Sequence, residues 1–182
     1  MTQIVLKVEA ATKTYPGVRA LDNVGIECLA GEVHAILGEN GSGKSTLMKL
    51  ASGTVTPDSG RVEINGRELT AADPRLAHEL GLSTVYQDDS LILEMTVAQN
   101  LFLGSTPGSV QYGQIVPWAE TQLRPYDVGI SATWMVGDLT PAHRQFVEIV
   151  KALISKPKVL LLDEPTSTLD LEGVRKLTGI IR

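Results

Sequence analysis

A chain of 182 residues, 43% hydrophobic and 20% charged, is long enough to bury one full core with at most a small satellite. Its formal net charge of -5 leaves no basic footprint for nucleic acid or an anionic membrane surface, and a single cysteine, Cys28, excludes an internal disulfide. Its apolar runs fall far short of the ~20 residues that span a bilayer, so any membrane connection is expected through a partner. The N-terminus lacks a charged-then-apolar leader, and Cys28 reads as a small buried hydrophobe of a cytoplasmic protein.

Residues 4–9 alternate as a strand, and Tyr15-Pro16-Gly17 is a turn. Val18–Leu29 is a second β-like run with a turn signal at Asp22-Asn23. A short apolar strand is expected over 33–37, and residues 46–50 begin an amphipathic helix. Turn chemistry at Pro57-Asp58-Ser59-Gly60 precedes a short strand over 61–64 and a hairpin at Asn65-Gly66. Asp73 is placed to cap a helix over 74–80 with Pro74 at its first position, and 82–86 is a strand ending at Gln87. From 88 to 155 the texture changes to a helical insert, with helices over 96–103 and 117–124 around a Gly, Ser and Pro-rich loop. Residues 139–154 form a clear helix that Thr140 caps and Pro141 starts. A continuous apolar strand over 158–162 suits a parallel sheet, and 171–182 begins a last helix. The pattern predicts an α/β fold: a mainly parallel sheet flanked by helices, with an antiparallel β subdomain and the helical insert, in one domain over 1–182.

Between the strand over 33–37 and its helix lies Gly38-Glu39-Asn40-Gly41-Ser42-Gly43-Lys44-Ser45-Thr46, which is G-x-x-x-x-G-K-[ST]. Gly38, Gly41 and Gly43 let the backbone approach phosphate oxygens with no Cβ in the way. The loop's N–H groups and the helix N-terminus make an anion site, with Asn40, Ser42 and Thr46 inside the same stretch. Lys44 can reach the β- and γ-phosphates, and the Ser45 hydroxyl can ligate Mg²⁺. At the end of the strand over 158–162, Asp163 is placed to hold Mg²⁺ and Glu164 to polarise an attacking water as general base. Gln87, at another strand end, is a candidate ligand of the metal and the water.

These motifs stand in the order of an ATP-binding cassette (ABC) ATPase of the phosphate-loop NTPases: 38–46, Gln87, 139–145, 160–165 and Ser167-Thr168-Leu169-Asp170. The resemblance covers essentially the whole chain. It is nearest to the energising subunit of bacterial sugar importers, through residues 13–21 and 148–153. What it implies is MgATP held between two such domains, with Tyr15 stacked on the adenine and the partner's signature helix closing over the γ-phosphate. It further implies membrane permease subunits, a solute-binding protein and a place on the cytoplasmic face of the membrane. The region after Gln87 would be the docking face.

Two departures from the family pattern stand out. The signature Leu-Ser-Gly-Gly-Gln reads Leu139-Thr140-Pro141-Ala142-His143 here. Thr140 keeps a hydroxyl suited to a phosphate contact, whereas the Ala142 methyl and the His143 imidazole alter the surface facing the partner's nucleotide. The family's switch histidine would fall after Arg182, and His34, His78 and His143 stand in the wrong places to replace it. His34 reads as a residue packed beside the sheet and His78 as part of a solvated helix face. The expectation is therefore a fragment of a longer protein that binds MgATP and turns it over poorly alone. The competing reading is a non-catalytic regulatory cassette. A soluble cassette acting on nucleic acid is disfavoured by the acidic charge.

Overall fold

The computed structural model of the chain describes residues 3–86, 90–103 and 110–181. They form two compact units: residues up to Thr84 together with Pro157–Asp163, and the remainder from Val85 to Lys156 and from Glu164 onward.

The first unit is built on a long hairpin of β1 (Ile4–Tyr15) and β2 (Val18–Leu29). β1 runs beyond the predicted 4–9 because a bulge at Ala10 (φ 50) restores pairing, with Ala11 opposite Val24 and Lys13 opposite Leu21. Gly60 (φ 86) fits the bulge: a Cβ there would lie 2.4 Å from the carbonyl oxygens of both Glu9 and Ala10. Asn23 (φ 51) kinks β2 where the turn signal stood.

β3 (Ser59–Ile64) and β4 (Arg67–Glu68) complete an antiparallel sheet of order β2-β1-β3-β4. Alternation sets its register. Leu6, Val8, Val62 and Ile64 are buried on one side. Lys7, Glu9, Glu27, Arg61 and Glu63 form an ion ladder between strands, with Lys7 Nζ 3.2 Å from Glu27 and Arg61 Nε donating to Glu9 at 2.7 Å. Solvent screens pairs of this kind and leaves them little net effect, so burial of the other face decides the fold. Cys28 is half-buried against that core, and burial raises its thiol pKa.

α1 (Lys44–Ala51) packs Leu47, Leu50 and Ala51 into the same core. α2 (Pro74–Glu79) starts as predicted, with Asp73 Oδ1 accepting from the N–H groups of Arg75 (3.0 Å) and Leu76 (3.1 Å). β5 (Leu82–Val85) pairs with β6 (Val159–Leu162) in a separate two-stranded sheet. The Gly81 carbonyl accepts from the N–H groups of Lys158 (2.7 Å) and Val159 (3.1 Å), which brings the starts of the two strands together as in a parallel pair.

One predicted strand is absent. Residues 33–37 form no ladder among the described residues, and Val33 and Leu37 remain 70% and 89% exposed. β6 pairs only with β5 here, so the run has neither a hydrogen-bonding neighbour nor a covering layer; Ile36 alone rests against the core. His34 accordingly does not pack beside a sheet: its Nδ1 lies 2.9 Å from Glu32 Oε1 near the surface.

The second unit holds α3 (Val97–Leu103), α4 (Ile115–Leu123), α5 (Pro141–Ile154) and α6 (Leu171–Ile181). α4 begins ahead of the predicted 117 because Pro117 fits in a first turn, where an N–H would have no intrahelical partner. α5 begins at Pro141 rather than 139, with Thr140 Oγ1 accepting from His143 N at 3.2 Å. Two buried polar side chains secure the segment before α3. Asn100 accepts from Ile92 N (2.8 Å) and donates to Ile92 O (2.9 Å). The Glu148 carboxylate, 9% exposed, accepts from Ser90 N (2.6 Å) and from Ser90 Oγ (2.9 and 3.0 Å).

Removing that carboxylate removes charge-assisted hydrogen bonds to the amide and hydroxyl of Ser90. Glu148→Ala is expected to lower stability to urea by about 1–3 kcal/mol; a change below about 0.5 kcal/mol, the size of an ordinary surface substitution, would contradict this.

Asp58 ties the turn before β3 to the end of β1: its N–H donates to Thr12 O (2.8 Å), and its carboxylate accepts from Lys13 Nζ (2.8 Å) and Thr14 N (2.7 Å). The Lys13 ammonium, and after it the Thr14 N–H, hold the Asp58 carboxyl below the usual carboxylate range. A depressed folded pKa contributes stability that is present above the unfolded value, about 3.9, and lost as pH falls through the folded one. The urea midpoints of the parent and of Asp58→Asn should therefore lie furthest apart above about pH 4 and converge below it. A gap that stays constant as the solution is acidified would show that this carboxylate is not the cause.

Candidate functional site

The loop from Gly38 to Gly43 is shaped by glycine. Gly41 (φ 82) and Gly43 (φ 93) are left-handed, and Gly43 is the N-cap of α1. A Cβ on Gly43 would lie 2.4 Å from Ala20 O and 2.9 Å from Leu21 Cδ2. Ala20 and Leu21 belong to β2, and Leu21 stands opposite Lys13 on β1. The loop is thus seated against the end of the hairpin that carries Tyr15.

No side chain caps α1, so its first-turn N–H groups are presented to whatever lies in front of the loop. Lys44 Nζ donates to the carbonyl oxygens of Gly38 (2.7 Å) and Glu39 (2.8 Å), bracing the ammonium across the loop. An ammonium has three donors, so one remains for a ligand. Among the described residues no carboxylate pairs with Lys44. An uncapped helix start, left-handed glycines and an ammonium with a donor to spare are together chemically suited to an anion. Asn40, Ser42 and Ser45 are exposed along it and Thr46 is half-buried.

Tyr15 is half-buried at the end of β1, with Lys13 Nζ 5.9 Å from its ring centroid. Asp163, half-buried, follows β6 directly in the same unit as the loop and makes no hydrogen bond or ion pair among the described residues. Glu164 is exposed and left-handed (φ 46), a backbone state that carries a cost in any residue but glycine. Glu164 and Thr140 belong to the second unit. There Thr140 stands exposed as the N-cap of α5, and the His143 ring lies 6.3 Å from that of Trp134. Gln87 lies outside the described residues.

No cluster of three or more His, Cys, Asp or Glu side chains among the described residues could hold a metal ion. The oxygen donors available, the Ser45 hydroxyl and the Asp163 carboxylate, fit a hard divalent cation that takes its remaining ligands from phosphate and water. Two side-chain groups escaped the sequence reading. Asp58 registers there only as turn chemistry, although a Lys two residues before the aromatic Tyr15 was a signal for an acidic partner. Glu148 sits on the apolar face of α5, and a carboxylate at such a position signals a buried hydrogen-bond anchor.

Residues 21–167 match the family model described as ABC transporter. Among curated relatives, the chain is 43% identical over 181 residues to the ribose import ATP-binding protein RbsA 2 of Streptomyces coelicolor, covering 98% of this chain and 35% of that protein. It is 41% identical over 173 residues to the arabinose import ATP-binding protein AraG of Escherichia coli O157:H7, covering 93% of this chain and 34% of that one. The chain therefore spans about a third of the length of these relatives. In structure it is similar to a nucleotide-free ATP-binding cassette from an ABC transporter, with a TM-score of 0.83 at 26% identity over 98% of this chain and 76% of that one. A cassette in its ADP conformation gives a TM-score of 0.84 at 26% identity, over 99% and 76% of the two chains. An α/β fold with an antiparallel β subdomain, a glycine-shaped anion loop at a helix start and a family match over most of the chain lead to one conclusion: this chain belongs to the ABC transporter family and is an ATP-binding cassette.

Proposed function

We propose that this cassette binds MgATP and, with a second cassette, hydrolyses it to energise import of a small polar solute, most simply a sugar, through a membrane transporter. The observation that carries the reading is the loop itself, with the helix start of α1 uncapped and Lys44 braced over Gly38 and Glu39. The sugar is supported by the ribose and arabinose import named for the relatives. No helix among the described residues is long and apolar enough to cross a membrane. Transport therefore calls for permease subunits, with the cassette on the cytoplasmic face and a solute-binding protein delivering the cargo.

In this reading the N–H groups of Gly41, Ser42, Gly43, Lys44, Ser45 and Thr46 cradle the phosphates, with Gly38 and Asn40 shaping the loop, and Lys44 neutralises the β- and γ-oxygens. Tyr15 stacks on the adenine. Ser45, Asp163 and Gln87 would hold Mg²⁺, which supplies charge neutralisation at the phosphates when bound. Glu164 accepts the proton of the attacking water. Its left-handed backbone supports that role, because strained residues concentrate where a side chain must be aimed. Thr140 and the start of α5 would face the partner cassette's γ-phosphate.

Titration calorimetry with MgATP tests the loop. Lys44→Ala removes a charge-assisted contact and is expected to weaken binding about ten- to a hundredfold. Glu164→Gln should leave binding intact and abolish phosphate release by the assembled transporter. Unchanged affinity in the first variant, or undiminished turnover in the second, would contradict the assignment.

A second reading, a cassette whose signature end is slow or silent, is favoured by one observation. Ala142 brings a methyl to the first turn of α5, and the His143 ring beside it lies near Trp134 rather than presenting a neutral amide. If that surface limits turnover, Ala142→Gly will raise phosphate release by the assembled transporter severalfold. An unchanged rate would remove this reading.

A further inference from the structure

The end of β1 that carries Tyr15 is held in an unusual way. Pairing of β1 with β3 ends at Thr12 opposite Ser59, so Lys13, Thr14 and Tyr15 lie past that ladder. Their pairing with β2 is irregular, with register shifts between Ala11 and Lys13 and between Lys13 and Thr14. The β2 ladder does reach Tyr15, opposite Val18, but the Lys13–Thr14 segment that leads into it has no regular register. Asp58 makes up the difference: its backbone N–H takes Thr12 O (2.8 Å), and its two carboxylate oxygens take Lys13 Nζ (2.8 Å) and Thr14 N (2.7 Å). Three consecutive residues before Tyr15 are thereby tied to one acidic residue of the turn before β3. The Lys13 side chain is only 17% exposed, and its ammonium is 5.9 Å from the Tyr15 ring centroid, within cation–π range. Leu21, opposite Lys13, is the side chain that a Cβ on Gly43 would strike, so the same strand pair meets the phosphate loop.

We propose that Asp58 is a positioning residue for the nucleobase: through Lys13 and Thr14 it sets the Tyr15 ring at the distance from the phosphate loop that a purine nucleoside triphosphate requires. The inference rests on the reading of Tyr15 as the base platform. Stacking of a base on an aromatic ring depends on the ring's placement, whereas the phosphate contacts come from the loop and α1. Loss of the Asp58 carboxylate should therefore weaken ligands that carry a base and spare those that do not.

The test compares MgATP with magnesium tripolyphosphate, which has the phosphates and no base, by titration calorimetry on the whole chain. Asp58→Asn is expected to weaken ATP about five- to tenfold, part of a full stacking contribution. Tripolyphosphate should stay within about twofold. In a Tyr15→Ala background the same substitution should have no further effect on ATP. Lys13→Met, which keeps the apolar stem and removes the charge, should show the same dependence on the base, and it carries the test if Asp58→Asn does not fold. Equal weakening of both ligands, or an ATP loss that persists in the Tyr15→Ala background, would overturn the proposal. If Tyr15→Ala alone leaves ATP affinity unchanged, the base-platform reading fails and the positioning role falls with it. If Tyr15→Ala weakens ATP while Asp58→Asn and Lys13→Met do not, the platform stands and only the positioning role is lost.

Discussion

Everything in the site depends on how closely the start of α1 approaches β2. At Gly43 there is no room for a side chain: a Cβ would lie 2.4 Å from the Ala20 carbonyl oxygen. The residue must also be left-handed, with φ 93. Both demands admit only glycine, and meeting them seats the loop against the hairpin end that carries Tyr15. The loop's amides are therefore held against that hairpin end by one contact between backbone segments. That contact is rigid where a pair of long side chains would not be.

The rest of the first unit supports this contact. Leu47, Leu50 and Ala51 anchor α1 on the core formed with Val8, Val62 and Ile64, so the helix start cannot swing away from the sheet. The bulge at Ala10, opposite Gly60, lets β1 keep pairing as far as Tyr15. β6 enters the same core through Val159 and Leu161 and ends at Asp163. The second unit has its own scaffold: α5 fixes the segment at Ser90 through Glu148, and α3 fixes Ile92 through Asn100. Each unit thus presents its candidate residues from the ends of elements whose middles are buried, as binding loops on rigid frameworks do.

Much of this was legible in the sequence because it rests on short-range chemistry. The phosphate loop, the Asp73 and Thr140 caps and the Asn65-Gly66 hairpin are each determined within a few residues, and the structure forms the caps and the hairpin where they were expected. The strand over 33–37 was not so determined. Its apolar composition is that of a strand buried in a sheet, but a strand exists only when a neighbour supplies the ladder, and none does among the described residues. The extension of β1 was equally hidden, since a bulge interrupts the alternation on which the reading relied. Ties such as Asp58 to Lys13 and Glu148 to Ser90 join residues 45 and 58 positions apart, so local pattern can mark one end of a tie without saying where the other end lies.

The central claim is that residues 38–46 are an anion site already shaped for phosphate. Hydrogen exchange at the backbone amides of this stretch, with and without MgATP, tests it most directly. The uncapped amides at the start of α1 should exchange readily alone and become protected when the nucleotide occupies the loop. Protection that appears elsewhere in the chain while these amides remain unchanged would contradict the claim.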